Sequence, residues 1–335
     1  MLTKMTMADV AREAGVSKQT VSRVLNGTGH TSAETAARVQ RVVRDLGYRP
    51  SGVARSLATN SSLTLGLIVP ALDNPYYAEV AQGAEWAAWE GGYNLFLSNV
   101  FHDAAREVAA LESLGDRGAD GVILDTPSLP DAQLFGLLAN FKAAVVVGRA
   151  VPTEVAGSIT VDDAAGVRLA LRRLVASGRR RPAFLAGPER FASSRVRQGA
   201  FVASERARGT FDEARLLKAD ATAEASCERV TAAVQRGLTF DALLCFNDVM
   251  AAGALRALRD AGIDVPGGVA VVGHDDIPMA PWLYPPLSTL NISERDLGVA
   301  AVRRLLERLN TQKRLPELVL HPSLIIRAST GPLPE

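Results

Sequence analysis

Residues 6–26 read TMADVAREAGVSKQTVSRVLN, and the rest of the chain is organised around this stretch. Thr6 opens TMADVAREA as a helix cap, with Val10 and Ala14 one turn apart on the same face. Gly15 and Val16 make a tight turn, and Ser17 caps a second helix, KQTVSRVLN, whose Val21, Val24 and Leu25 fall at i, i+3 and i+4 and must face the first. The opposite face is polar: Lys18, Gln19, Ser22, Arg23 and Asn26. A third helix is expected to open on a capping box running from Thr31 to Glu34 and to continue through Val39, Val42, Val43 and Leu46. Gly47 is its C-terminal residue, with Pro50 beyond.

Two short helices joined by a glycine turn and braced by a third match a helix-turn-helix. The outward face of the second helix suits the major groove of DNA. Gln19 matches the bidentate pattern of adenine and Arg23 that of guanine. Ser22 and Asn26 reach phosphate oxygens, Lys18 stands beside them, and Thr20 offers a methyl to thymine or a hydroxyl to phosphate.

Whole-chain composition first argues against such a partner. The 335 residues carry a formal net charge of only +1, whereas phosphate binders usually hold an excess of lysine and arginine. The charge is unevenly placed, however. Residues 1–60 hold nine lysines and arginines against four acids, a net of +5, and the other 275 hold 28 against 32, a net of −4. A small basic head is attached to a larger, mildly acidic body. With 47% hydrophobic and 22% charged residues the chain is neither disordered nor collagen-like. It has no apolar run of membrane-spanning length, and the opening MLTKMTMADV lacks the features of a signal peptide, so a cytoplasmic protein is expected. Cys227 and Cys245 have neither CxxC spacing nor nearby histidines, and both read as small core residues.

The segments ADVAREAGVSKQTVSRVLNG and LGYRPSGVARSLAT resemble the DNA-binding head and hinge of the LacI family of bacterial transcriptional regulators. The resemblance implies a head over 1–48, a hinge helix and linker over 49–61, and an effector-binding and dimerisation core over 62–335. It also makes Leu57 a wedge that opens the central base step of a palindromic operator from the minor groove. In the residues alone, GVARSLA is too short for a stable isolated helix, and Leu57 can equally pack on a partner's hinge.

From Leu63 onwards short apolar runs (LGLIVP, NLFLSNV, GVILDT, AVVVGR, SITVD, PAFLAG, ALLCFN, VAVVGHDD) alternate with amphipathic stretches over 76–89, 164–177 and 248–261. Such a pattern implies parallel sheets covered on both faces. We therefore expect an all-α helix-turn-helix head joined to an α/β core of two subdomains with parallel sheets, of the periplasmic-binding-protein type that the resemblance also implies. The first subdomain is expected over about 62–161 and 291–320, the second over about 162–290 and 321–335.

Ligands of such sheets bind beyond the carboxyl ends of the strands. The polar and aromatic residues at or just beyond the ends of these runs include Asp73, Tyr76, Tyr77, Asp125, Arg149, Asp162, Arg197, Asn247 and Asp275. The resemblance adds that DNPYYAEV lines the cleft with Tyr76 and Tyr77, that Arg197 contacts effector, and that Asn247 and Asp275 belong to the same site. Alternatively Asn247 and Asp162 are helix caps and Tyr76 is core. Carboxylates, amides and guanidiniums bond hydroxyl pairs and tyrosines stack on rings, so a sugar or nucleoside fits.

His274 beside Asp275 could suggest acid/base chemistry, but neighbours at a strand end are expected to face opposite ways, and no nucleophile, metal or nucleotide motif accompanies them. No catalytic residue, metal or cofactor is therefore expected. The partners are operator DNA, a small-molecule effector and a second copy of the chain, with no membrane. A solute-binding or sugar-modifying protein using the same cleft is the alternative.

Overall fold

The structure, a computed structural model, describes residues 5–26, 30–48 and 61–331. The chain divides into two compact units, Met1–Ser62 and Leu63–Glu335. The expected hinge helix and Leu57 fall in the stretch 49–60, outside the described residues.

In the first unit α1 (Met7–Glu13), α2 (Lys18–Asn26) and α3 (Ala33–Asp45) form a small bundle. Thr6 caps α1 in a reciprocal box with Asp9, Gly15 takes the left-handed conformation (φ +63°) that the tight turn requires, and the Ser17 hydroxyl accepts from the Thr20 amide at 3.1 Å. Val10, Ala14, Val21, Val39 and Tyr48 are buried together. Arg38 of α3 donates to the Ala14 carbonyl at 3.0 Å, tying the third helix to the end of the first. The cap of α3 differs from the expected box. Ser32, not Thr31, is the N-cap, and its hydroxyl accepts from the Thr35 amide at 3.3 Å. A Ser-x-x-Thr pair satisfies the exposed amide one residue later than the Thr-x-x-Glu pattern suggests.

In the second unit β1 (Thr64–Val69), β2 (Asn94–Asn99), β3 (Gly121–Asp125), β4 (Ala143–Val147) and β5 (Gly157–Val161) alternate with α4 (Pro75–Glu90), α5 (Ala104–Asp116) and α6 (Asp131–Leu138). The alternation resumes with α7 (Asp163–Ala176), β6 (Pro182–Ala186), α8 (Ala192–Ala207), β7 (Leu216–Lys218), α9 (Ala223–Gln235), β8 (Ala242–Cys245), α10 (Asp248–Asp260) and β9 (Ala270–His274). Then come β10 (Ser288–Asn291), α11 (Glu294–Thr311), β11 (Leu318–Leu320) and β12 (Ser323–Ile325).

The strands form two six-stranded sheets, ordered β11-β5-β4-β3-β1-β2 and β12-β10-β9-β8-β6-β7. Alternate residues feed the two faces of each: Leu65, Leu67 and Val69 enter one cluster and Ile68 the other, while Leu185 and Phe184 divide in the same way across the second sheet. Burial on both faces explains the nearly unbroken Val/Ile/Leu runs.

Three connections pass between the sheets, at β5–α7, β10–α11 and β11–β12. The last of these departs from an all-parallel expectation, since β12 pairs with β10 antiparallel. The chain reaches β12 directly from the carboxyl end of β11, so it enters the second sheet from the side where the other strands leave it. Helix α11 returns to the first sheet and packs on α4. Glycines make that approach possible, because a Cβ on Gly83 would collide with the Arg295 carbonyl, and one on Gly298 with the Val80 carbonyl. Both cysteines belong to the second subdomain's interior, Cys245 within the cluster and Cys227 packed against it.

Candidate functional site

On the first unit, α2 presents Lys18, Gln19 and Arg23 to solvent, and Thr20 and Ser22 are half-buried beside them. Val21 is buried, which fixes the roll of the helix and turns the polar residues outward. The Thr20 hydroxyl lies 3.0 Å from that of Ser17, so it belongs to the local cap as well as to the helix face. Asn26 is the last residue of α2.

On the second unit, the carboxyl ends of both sheets open on a cavity of about 800 Å³. Asp73, Tyr76, Tyr77 and Arg149 line it from the first subdomain, and Arg197, Asn247 and Asp275 from the second. Of the strand-end candidates, Asp162 and Asp125 are not among the lining; Asp125 lies on a smaller cavity beside it. Asp162 is turned to another role. It is the N-cap of α7, its carboxylate accepting from the Ala165 amide at 2.9 Å. The next residue, Asp163, faces the cavity instead. A strand-end Asp-Asp pair does not reveal which member will cap, since capping requires the non-helical backbone that only one of them adopts.

The centre of the site is a buried ionic cluster. Arg197 Nε donates to Asp163 at 2.8 Å and its Nη1 to the Phe246 carbonyl at 2.6 Å. The same Nη1 stands 4.0 Å from Asp275, and the guanidinium lies over the Phe246 ring at 4.9 Å. His274 Nδ1 is 3.0 Å from Asp275 and its Nε2 3.5 Å from Asp163. The expectation that His274 and Asp275 face apart is thus corrected. Asp275 has φ +108°, which turns the chain out of the extended conformation and brings the carboxylate back beside the imidazole.

Electrostatics reflect this packing. Burial pushes the Asp163 carboxyl up, but Arg197 and His274 outweigh it and hold the group at about 2. Burial also opposes charge on Arg197 and His274, and in both the neighbouring carboxylates prevail and raise the pKa. Asp248, pushed up to about 7 by burial and then by Asp275, accepts from Thr289 at 2.6 Å and from the Ile277 amide at 3.0 Å. It thereby anchors the turn that carries Asp275.

The remaining candidates are braced to different degrees. Tyr76 and Tyr77 meet edge to face at 4.9 Å, and burial raises both hydroxyls far enough to keep them neutral. They also pack against the first subdomain's core, so lining and core roles coexist. Asn247 caps α10 through Oδ1, which accepts from the Met250 amide at 2.9 Å, leaving its NH₂ group as what it can offer a ligand. Arg149 donates to the Leu129 carbonyl at 2.7 Å and pairs with Asp131, bracing the loop after β4.

Sequence reasoning missed the aromatic wall. Phe191 and Phe246 stack at 6.3 Å, and His102 lies 4.7 Å from Phe191. Phe246 was legible only as the tail of an apolar strand, and Phe191 carries no motif. Ala221 also lines the cavity, and the flat surfaces come from the start of α8 and the end of β8.

Comparison with known proteins matches two family models to the chain. The family model for bacterial regulatory proteins of the lacI family matches residues 6–51, and that for a periplasmic binding protein-like domain matches 171–330. The HTH-type transcriptional regulator GalR of Escherichia coli (strain K12) is 31% identical over 97% of this chain and 96% of its own. The HTH-type transcriptional repressor PurR of Haemophilus influenzae (strain PittEE) is 33% identical over 97% and 98%. The chain belongs to the LacI family. Among solved structures, the lac repressor dimer bound to operator and the anti-inducer ONPF superposes with a TM-score of 0.87 at 30% identity, over 97% of this chain and 99% of that one. This LacI-family protein is accordingly a DNA-binding transcriptional regulator with an effector-binding core, and its relatives are regulators rather than enzymes. Among the described residues no helix is long and apolar enough to cross a membrane, and no cluster of His, Cys, Asp and Glu is placed to hold a metal ion.

Proposed function

We propose that the protein is a cytoplasmic repressor that binds a two-fold operator as a homodimer and releases or tightens its grip when a small polyhydroxylated effector closes the cleft. Lys18, Gln19, Thr20, Ser22, Arg23 and Asn26 contact the half-site, and Leu57 enters its centre from the minor groove. Exposed apolar side chains from both subdomains supply the dimer surface: Trp86 and Trp89 on α4, Phe96 on the edge strand β2, and Trp282 and Tyr284 before β10.

The observation that carries the reading is the Arg197–Asp163–Asp275 cluster on the second subdomain, which faces Asp73, Tyr76 and Tyr77 on the first across one cavity. Asp73, Asp275 and the Asn247 amide suit hydroxyl pairs, and the Phe246 and Phe191 faces suit the C–H face of a ring. A ligand bonded to both walls favours the closed arrangement by its differential affinity, and the operator and effector then affect each other by the same factor. Coupling of about 1–3 kcal/mol corresponds to a roughly 5- to 150-fold change in operator affinity. The experiment is a thermal-shift panel of sugars and nucleosides on the wild type and Asp275→Asn. A sugar should raise the wild-type melting temperature, and the variant should lose that response. An unchanged response in the variant would show that the ligand sits elsewhere.

A further inference from the structure

A second cavity of about 250 Å³ opens beside the cleft and shares Thr126, Gly148, Arg149 and Phe191 with it. Two buried acids, Glu107 and Asp125, line it, each about 3% exposed. Each is half satisfied. Glu107 Oε2 accepts from the Ser128 amide at 3.0 Å and its hydroxyl at 2.7 Å, and Asp125 Oδ1 accepts from the Thr126 hydroxyl at 2.8 Å. The other oxygens, Glu107 Oε1 and Asp125 Oδ2, are buried with no hydrogen-bond partner among the described residues. Buried acceptors left unpaired are costly, and two on one cavity point to donors brought by whatever fills it.

We infer that this cavity is a subsite for a second, hydroxyl-bearing ring, so that the effector is a neutral disaccharide or glycoside rather than a single sugar. The inference rests on the sugar reading of the main cleft. The walls of the side cavity repeat the chemistry of a sugar site, with the Phe191 ring and the apolar Val100 and Leu124 for the C–H face and two carboxyls for hydroxyls. Burial, against the bond from Thr126, lifts Asp125 to about 7. At neutral pH it therefore exists in both forms, and a hydroxyl, which donates and accepts, pairs with either.

An anionic arm does not fit the depth of the cavity. At its mouth Arg149 pairs with Asp131 and the Leu129 carbonyl, Arg195 donates to the Glu189 carbonyl at 2.5 Å, and Arg190 lies over the Phe191 face. A phosphate or carboxylate placed deeper would meet two acids.

The test is calorimetric titration of the full-length protein with cellobiose, maltose, lactose and melibiose, alongside glucose, galactose, glucose 6-phosphate, adenosine and guanosine. At least one disaccharide should bind about ten- to a hundredfold more tightly than either of its component sugars, and glucose 6-phosphate should bind no better than glucose. Asp125→Leu should erase the advantage of the disaccharide. Monosaccharides binding as tightly as every disaccharide would overturn the subsite and leave the sugar reading standing. Preference for glucose 6-phosphate would overturn it likewise. Binding of nucleosides with no sugar of either size would overturn both. The wild-type comparison decides the matter even where the variant does not fold.

Discussion

Removing the Arg197 guanidinium should do more than silence the effector. In Arg197→Met two charge-assisted bonds disappear, to Asp163 at 2.8 Å and to the Phe246 carbonyl at 2.6 Å, and Asp163 and Asp275 stay buried beside the His274 imidazole but without the guanidinium. The Asp163 carboxyl at about 2, against an ordinary 3.8, is alone worth about 2 kcal/mol of pairing. Breaking a buried pair from one side costs about 3–5 kcal/mol, and that is the loss expected in urea unfolding at pH 8. The pH dependence has a definite sign. In the wild type the depressed Asp163 contributes stability above the usual carboxylate range and loses it as pH falls towards 2. In the variant the burial that pushes the Asp163 carboxyl up is no longer opposed by Arg197, so stability is lost as pH rises. The deficit should therefore shrink between pH 8 and pH 5. Adding Asp163→Asn to the variant should restore part of the loss. A deficit below about 1 kcal/mol, one that does not change with pH, or a double variant with additive losses would refute the claim that Arg197 neutralises a buried acid pair.

Arg23→Ala should reduce discrimination at one base pair of each half-site by about 1–3 kcal/mol, whereas Lys18→Ala should weaken all duplexes alike and lower the salt slope by about one, both measurable by anisotropy titration. Gly298→Ala drives a methyl into the Val80 carbonyl, and the forced separation of α4 and α11 should cost about 1–3 kcal/mol in chemical unfolding. Glu294, raised to about 8 by burial and then by Asp275, favours folding at low pH and opposes it as pH climbs from 4.5 to 8. Glu294→Gln should flatten that slope by on the order of 3 kcal/mol in unfolding curves taken across the range. Trp282→Asp places a charge at a side chain 81% exposed, and sedimentation should show the dimer dissociating while the protomer stays folded.

Much of the molecule was legible because its signals are local. The buried triplet Val21, Val24 and Leu25 sets the roll of α2, and doubly buried strands announce themselves as Val/Ile/Leu runs whose ends mark the cleft. What was not legible depends on backbone conformation or on distant partners. Thr31 and Ser32, like Asp162 and Asp163, are adjacent residues of equal capping ability, and only the turn preceding each helix decides between them. The His274–Asp275 contact depends on a positive φ at a non-glycine residue. Strand β7 has three residues, too few for a period to show, and β12 runs antiparallel because of where the chain crosses between sheets. Phe191 and Phe246 meet from a loop and a strand end far apart in the chain, and Glu107 reaches the second cavity from α5, a helix that sequence reasoning connected with no ligand.

The central claim is that the head reads a symmetric duplex and that occupancy of the cleft changes how tightly it does so. The most direct measurement is selection of duplexes from a random pool by the full-length protein, then titration of the selected sequence with and without a saturating disaccharide. A two-fold symmetric site whose affinity shifts roughly 5- to 150-fold in the wild type, and not in Asp275→Asn, is the predicted result. Failure to enrich any sequence, or an affinity untouched by every ligand shown to bind the cleft, would contradict it.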